Sequence, residues 1–141
     1  MAFTIRWLGT ACFEIRLDIG KSILIDPYLD DSTNAPITSN QIEACDYIFL
    51  THGHYDHVLD VGKLADRFTS EIYCSQEVAD ALVLHQRIDP ARFTCVTAGT
   101  WSKRKSSKPK CLGGCIWILP PNINASPVVI LWQIPEANSA K

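Results

Sequence analysis

The sequence predicts one globular domain of mixed type, opening on strands and passing into a layer where strands and helices alternate. Three observations predict it. The 141 residues are 47% apolar and 20% charged, the balance of a domain with a real core rather than a disordered chain. Short β-rich runs bounded by turn residues fill the N-terminal third. From about residue 45 to 99, segments of strand and helix character take turns, as in a layered α/β arrangement.

The elements follow in order. "FTIRWLGTACFEIRLD" holds two β-rich runs around Gly9, and Asp18-Ile19-Gly20-Lys21 supplies turn chemistry before the next strand. "KSILIDPYL" reads as a strand that stops at Asp26-Pro27, because proline has no N–H for the ladder. The polar, turn-rich "DDSTNAPITSNQ" reads as a loop. "CDYIFLTHGH" is a strand whose Tyr47-Ile48-Phe49-Leu50 lacks alternation, which predicts burial on both faces. In "DVGKLADRFTS", Val61, Leu64, Ala65 and Phe68 fall at helical spacing. "EIYCS" is a short strand. "SQEVADALVLHQRID" is a helix capped by Ser75 and over by Pro90, and "RFTCVTAG" is a further strand.

Composition changes near Gly99. Residues 101–141 carry a charge of +5 and five of the eight prolines, whereas the first hundred residues carry −7. "SKRKSSKPK" reads as a basic loop. Two apolar patches follow, each long enough for a strand, with no clear helix after either. The boundaries expected are therefore a first part over residues 1–99 and a divergent basic, Pro-rich tail over residues 100–141. The run Lys103–Lys110 holds five bases but no interleaved aromatic residue, so it reads as a solvated loop rather than a nucleic-acid surface.

No run of eighteen apolar residues exists, which argues against a membrane span. The N-terminus reads as a strand and lacks the parts of a signal peptide. The expectation is a cytoplasmic protein. In that reducing compartment Cys12, Cys45, Cys74 and Cys95, each set among apolar residues, are expected to be buried free thiols.

"THGHYDH", Thr51 to His57, gathers three of the four histidines and an aspartate. Neutral imidazoles and a carboxylate suit zinc, and also iron or manganese. His52 and His54 are two residues apart at a strand end, so both side chains point to one side. Gly53 keeps the backbone between them compact. Asp56 and His57 follow where the chain turns toward a helix, and can aim at an adjacent position. A loop at the C-terminal edge of a strand is a usual place for sites in such sheets.

His52-Gly53-His54-Tyr55-Asp56-His57 resembles the His-x-His-x-Asp-His signature of the metallo-β-lactamase superfamily. "WLGTACFEI" followed by "KSILIDPYL" is similar to the opening of that fold, and Asp26 matches the aspartate that ends an early strand near its site. The aspartate–proline pair resembles the superfamily's small metal-dependent hydrolases. The resemblance covers about residues 3–99. It implies an α+β fold, the four-layer αββα sandwich of two similar halves, of which this chain holds the N-terminal half plus an atypical tail. It implies one or two metal ions, usually zinc, with His52 and His54 on the first and Asp56 and His57 on the second. A metal-bound water would attack an ester, amide or phosphoester in a small-molecule substrate. Asp56 would orient or deprotonate that water. Asp26 would stand behind a ligand and fix its orientation, or serve only as a structural turn.

The same family uses more ligands: a third histidine, a bridging aspartate and a last histidine. The remaining histidine here, His85, lies near the end of a predicted helix, and no aspartate follows Asp89. Three readings of the tail follow. The chain is a truncated or frame-altered form of a longer hydrolase, which the composition break favours. Alternatively, a second copy or a partner chain completes the sandwich and covers the open sheet. In the third reading, Cys111 and Cys115 replace missing ligands, since thiolates bind zinc. The rival function is a catalytically incompetent metal-binding or interaction module.

Overall fold

A computed structural model describes residues 2–97 and two further strands, β7 (Cys115–Ile118) and β8 (Val128–Leu131). The chain divides into two compact units, Met1–Val96 and Thr97–Lys141. The first is built on strands β1 (Phe3–Trp7), β2 (Phe13–Leu17), β3 (Ser22–Ile25), β4 (Tyr47–Phe49), β5 (Glu71–Cys74) and β6 (Phe93–Cys95). They form one sheet in sequence order. The β1–β2 and β2–β3 pairs are antiparallel, whereas β3–β4, β4–β5 and β5–β6 are parallel. Helices α1 (Tyr55–Val58) and α2 (Val61–Phe68) link β4 to β5, and α3 (Gln76–Gln86) links β5 to β6. The fold is α+β, as expected.

Turn chemistry sets the first hairpins. Gly9 has φ +97, and a Cβ there would stand 2.9 Å from the Asn34 carbonyl group. Only glycine combines that conformation with that approach. Gly20 N donates to Leu17 O at 3.0 Å and closes the β2–β3 turn.

The helices bury one stripe each. Val61, Leu64 and Ala65 of α2 and Val78, Ala79 and Leu82 of α3 are buried, the i, i+3, i+4 spacing of a core-facing face. They pack with Leu24, Ile48, Ile72 and Cys74 of the sheet. Ser75 Oγ caps α3 by accepting from Val78 N. Thr69 ends α2 and Arg87 ends α3, each in the left-handed conformation.

The other sheet face is also apolar. Register places Phe3, Ile5 and Trp7 of β1 opposite Leu17, Ile15 and Phe13 of β2, and alternate residues share a face. Phe49 stacks on Tyr73 with ring centroids 4.6 Å apart. Phe3, Ile5 and Trp7 are exposed by 49%, 57% and 59%, so this end of the face stands open. On the opposite face Glu14 is almost fully buried between Arg6, at 2.8 Å, and Arg16, at 3.1 Å.

One expectation fails. Cys12, Cys45 and Cys74 are buried, but Cys95 is exposed, because β6 lies at an edge of the sheet. All four are free. Burial pushes the thiols of Cys12, Cys45 and Cys74 up to about 12. In the second unit, β7 and β8 pair antiparallel, with Cys115 opposite Leu131. The strands expected from the two apolar patches are thus present. Cys111, the basic run and the composition break at Gly99 lie outside the described residues.

Candidate metal centre

The parallel strands β3 and β4 end side by side. Asp26 N donates to Phe49 O at 2.9 Å, which sets Asp26 beside the exit of β4 into Thr51 and the histidines. Asp26 is 1% exposed and has φ +45, a left-handed conformation that aspartate tolerates better than most residues. Its carboxylate holds the loop: Thr51 N donates to Oδ1 at 2.8 Å and Thr51 Oγ1 donates to Oδ2 at 2.7 Å. His57 Nδ1 lies 2.9 Å from the same Oδ2. That approach is close but poorly aligned, so Nδ1 is a buried nitrogen without a formed hydrogen bond.

His52 and His54 project together from the loop, as their spacing predicts. His52 Nε2 is 3.0 Å from His54 Nδ1. The His52 ring centroid is 4.5 Å from that of His54 and 4.0 Å from that of His57. A Cβ on Gly53 would sit 3.3 Å from Val78 Cγ2, so the loop rests its bare side on α3. Asp56 lies in the first turn of α1 with its side chain half exposed, its Oδ2 3.9 Å from His57 Nε2. Burial first, then the facing His57 and His54, pushes His52 below the ordinary imidazole value. This favours the neutral form, the one that ligates metal.

The donor chemistry fits a metal ion. Nitrogens on a tetrahedral zinc with Zn–N near 2.0–2.1 Å stand about 3.3 Å apart, close to the 3.0 Å seen here. Asp56 and His57 form a looser second pair. Among the described residues no group of three or more His, Cys, Asp or Glu side chains is arranged to hold a metal. A site of three protein ligands plus water therefore needs at least one donor beyond those brought together here. His85 lines a pocket of about 270 Å³ between α3 and the motif loop, with Gly53, Tyr55, Val58, Val78 and Leu82.

Sequence reasoning assigned no role to several residues that hold this loop. Thr51 was one letter of the motif and is its anchor. Asp60, fully buried, accepts Leu29 N at 2.7 Å and Asp30 N at 3.1 Å, fixing the segment after Pro27. Lys63 Nζ joins Asp30 at 2.7 Å and Asp60 at 3.2 Å. Tyr28 and Tyr55 meet edge to face, with hydroxyls 3.2 Å apart, beside the motif. Gln86 of α3 ties the α1–α2 junction, donating to Val58 O at 2.9 Å and accepting from Gly62 N at 2.7 Å. For Lys63 and Gln86 the only signal was a polar residue beside an apolar helix stripe.

The family model of the metallo-beta-lactamase superfamily matches residues 5–97. The chain belongs to that superfamily. Among curated relatives, it is 41% identical over 78 residues to a protein of Archaeoglobus fulgidus, covering 55% of this chain and 32% of the relative. It is 42% identical over 80 residues to one of Myxococcus xanthus, covering 57% and 28%. Both are named metal-dependent hydrolases. The chain spans about a third of the length of these relatives. Among solved structures, it is similar to Igni18, a metallo hydrolase of Ignicoccus hospitalis, with a TM-score of 0.58 at 20% identity. That match covers 70% of this chain and 41% of Igni18, and bears on the fold alone.

Proposed function

We propose that the chain carries the first ligand set of a metal-dependent hydrolase acting on an ester, amide or phosphoester of a small molecule. The convergence of His52 Nε2 and His54 Nδ1 at 3.0 Å carries this reading. His52 and His54 would hold one ion, and Asp56 and His57 a second where two are bound. Zinc is the usual ion of the superfamily, and iron or manganese would suit the same donors. The ion would supply a water of lowered pKa and polarise the bond to be cleaved. The protein residues do the rest. Asp56, half exposed in the first turn of α1, would orient an incoming water and take its proton. Asp26 would stand behind His57 and, through Thr51, fix the start of the loop.

A second reading has a specific observation behind it. Without a third ligand among the described residues, this chain would act as a metal-binding or interaction module whose site closes elsewhere. Residues 1–99 would then form the N-terminal half of the sandwich, with 100–141 as a divergent tail. A second copy or partner chain would cover the open stripe Phe3, Ile5 and Trp7. No helix among the described residues is long and apolar enough to cross a membrane, and free thiols at Cys12, Cys45 and Cys74 suit a cytoplasmic setting.

One experiment separates the readings. The chain is loaded with zinc and assayed on p-nitrophenyl acetate and bis(p-nitrophenyl) phosphate, beside His54→Ala and in sedimentation. Turnover that depends on zinc and is lost in the variant supports the hydrolase. Zinc binding without turnover, in a concentration-dependent dimer, supports the module.

A further inference from the structure

We infer that Thr51 is a positioning residue that sets the tautomer of His52, so that Nε2 presents its lone pair toward His54. This rests on the metal-site reading above and adds to it a residue outside the ligand motif. The argument is a count of protons. A carboxylate has none to give, so both Asp26 oxygens only accept. Thr51 Oγ1 has one proton, and it goes to Asp26 Oδ2 at 2.7 Å. The same Oγ1 lies 2.9 Å from His52 Nδ1. With its proton committed, Oγ1 can only accept there, so His52 must carry its hydrogen on Nδ1. A neutral imidazole protonated at Nδ1 has its lone pair on Nε2. That atom is the one 3.0 Å from His54 Nδ1.

Geometry holds the arrangement in place. The Thr51 N–H occupies the other Asp26 oxygen at 2.8 Å, so the carboxylate cannot rotate away without losing both bonds. Asp26 itself is buried. The β-branched threonine has few χ1 rotamers at a strand end, which keeps Oγ1 between carboxylate and imidazole. One carboxylate thus reaches two imidazoles, His57 by proximity and His52 through Thr51.

A purely structural Thr51 would satisfy Asp26 and leave His52 free to choose its tautomer. Three forms of the full chain distinguish the two: wild type, Thr51→Val and Thr51→Ser. The tautomer of His52 is read from imidazole ¹⁵N–¹H correlations on the metal-free protein at mildly alkaline pH, and zinc affinity from chelator competition. Wild type is expected to show the Nδ1–H form at His52, and Thr51→Ser to keep it. Thr51→Val is expected to populate the Nε2–H form and bind zinc about 10–100-fold more weakly, the usual loss when the partner of a metal-ligating histidine is removed. Zinc affinity in Thr51→Ser is expected within about threefold of wild type. A wild-type His52 in the Nε2–H form overturns the proposal, whether or not Thr51→Val folds. So does a folded Thr51→Val with unchanged tautomer and unchanged affinity. Wild type that binds no zinc sinks the metal-site reading instead, and the tautomer in metal-free protein still decides the role of Thr51.

Discussion

His57 Nδ1 stands 2.9 Å from Asp26 Oδ2, which joins the end of β3 to α1 across 31 residues of sequence. The same carboxylate binds both the amide and the hydroxyl of Thr51. Asp26→Ala strips the Thr51 amide and hydroxyl of their acceptor and puts alanine at φ +45. Each hydrogen bond left unmade costs roughly 1–3 kcal/mol, and the left-handed backbone about 1–2 kcal/mol more. Urea unfolding is expected to show a loss of at least about 3 kcal/mol. Asp26→Asn keeps one acceptor and tolerates the backbone, so about half that loss is expected. Equal loss in both variants would mean that the carboxylate pair is not what holds the loop.

Asp60 gives a second test away from the histidines. Its buried carboxylate serves Leu29 N, Asp30 N and Lys63 Nζ. Asp60→Ala is expected to lower stability by about 2–4 kcal/mol and to release the Pro27–Asp30 segment. Hydrogen exchange at the Leu29 and Asp30 amides should accelerate in the variant before exchange in β5 does. Uniform acceleration across the sheet would contradict a local role.

Asp30 sets a pH dependence. Its own partial burial acts to raise the carboxyl, but Lys63 and the Ser39 amide and hydroxyl outweigh that and hold it down to about 2. An unfolded aspartate titrates near 3.9. The folded value is the lower, so the stabilisation is fully present above about pH 4 and is lost as pH falls toward about 2. Solvent screening keeps it modest, about 1 kcal/mol at neutral pH. The deficit of Asp30→Asn against wild type should shrink steadily between about pH 4 and about pH 2. A deficit that stays constant over that range would rule out the ion pair as its source.

The thiols divide by position in the sheet. Cys12, Cys45 and Cys74 are buried and held protonated, with values of about 12, so the reactive thiolate is scarce. Cys95 lies exposed on β6. Alkylation at pH 8 followed by peptide mapping should label Cys95 in minutes and the other three only after denaturation. Labelling of Cys74 at the rate of Cys95 would show that α3 does not seal the core.

Much of this fold was legible in the sequence. The hairpins β1–β2–β3 announced themselves through Gly9 and the Asp18–Lys21 turn, and α2 through Val61, Leu64 and Ala65. The unalternating Tyr47–Leu50 foretold a strand with apolar contacts on both faces. The exposure of Cys95 was not legible, because a strand's place at the edge is a property of the sheet and not of its own residues. Nor were the partners of Asp60 and Thr51. Sequence shows that a buried carboxylate needs donors, but not which amides, 31 and 30 residues away in the case of Asp60, it will find. Of the site, the histidine spacing foretold the meeting of His52 and His54. It did not foretell that His57 would turn its Nδ1 toward Asp26 rather than stand apart with Asp56.

The central claim is that His52 and His54 form a metal-binding pair. The direct measurement is equilibrium dialysis of the full chain against buffered zinc, with bound metal counted by mass spectrometry, for wild type and His52→Ala/His54→Ala. Wild type is expected to retain at least one zinc per chain, and the folded double variant to bind at least about 100-fold more weakly, since each ligand removed opens the coordination shell. Equal zinc binding by the two proteins, or negligible zinc on wild type, would contradict the claim.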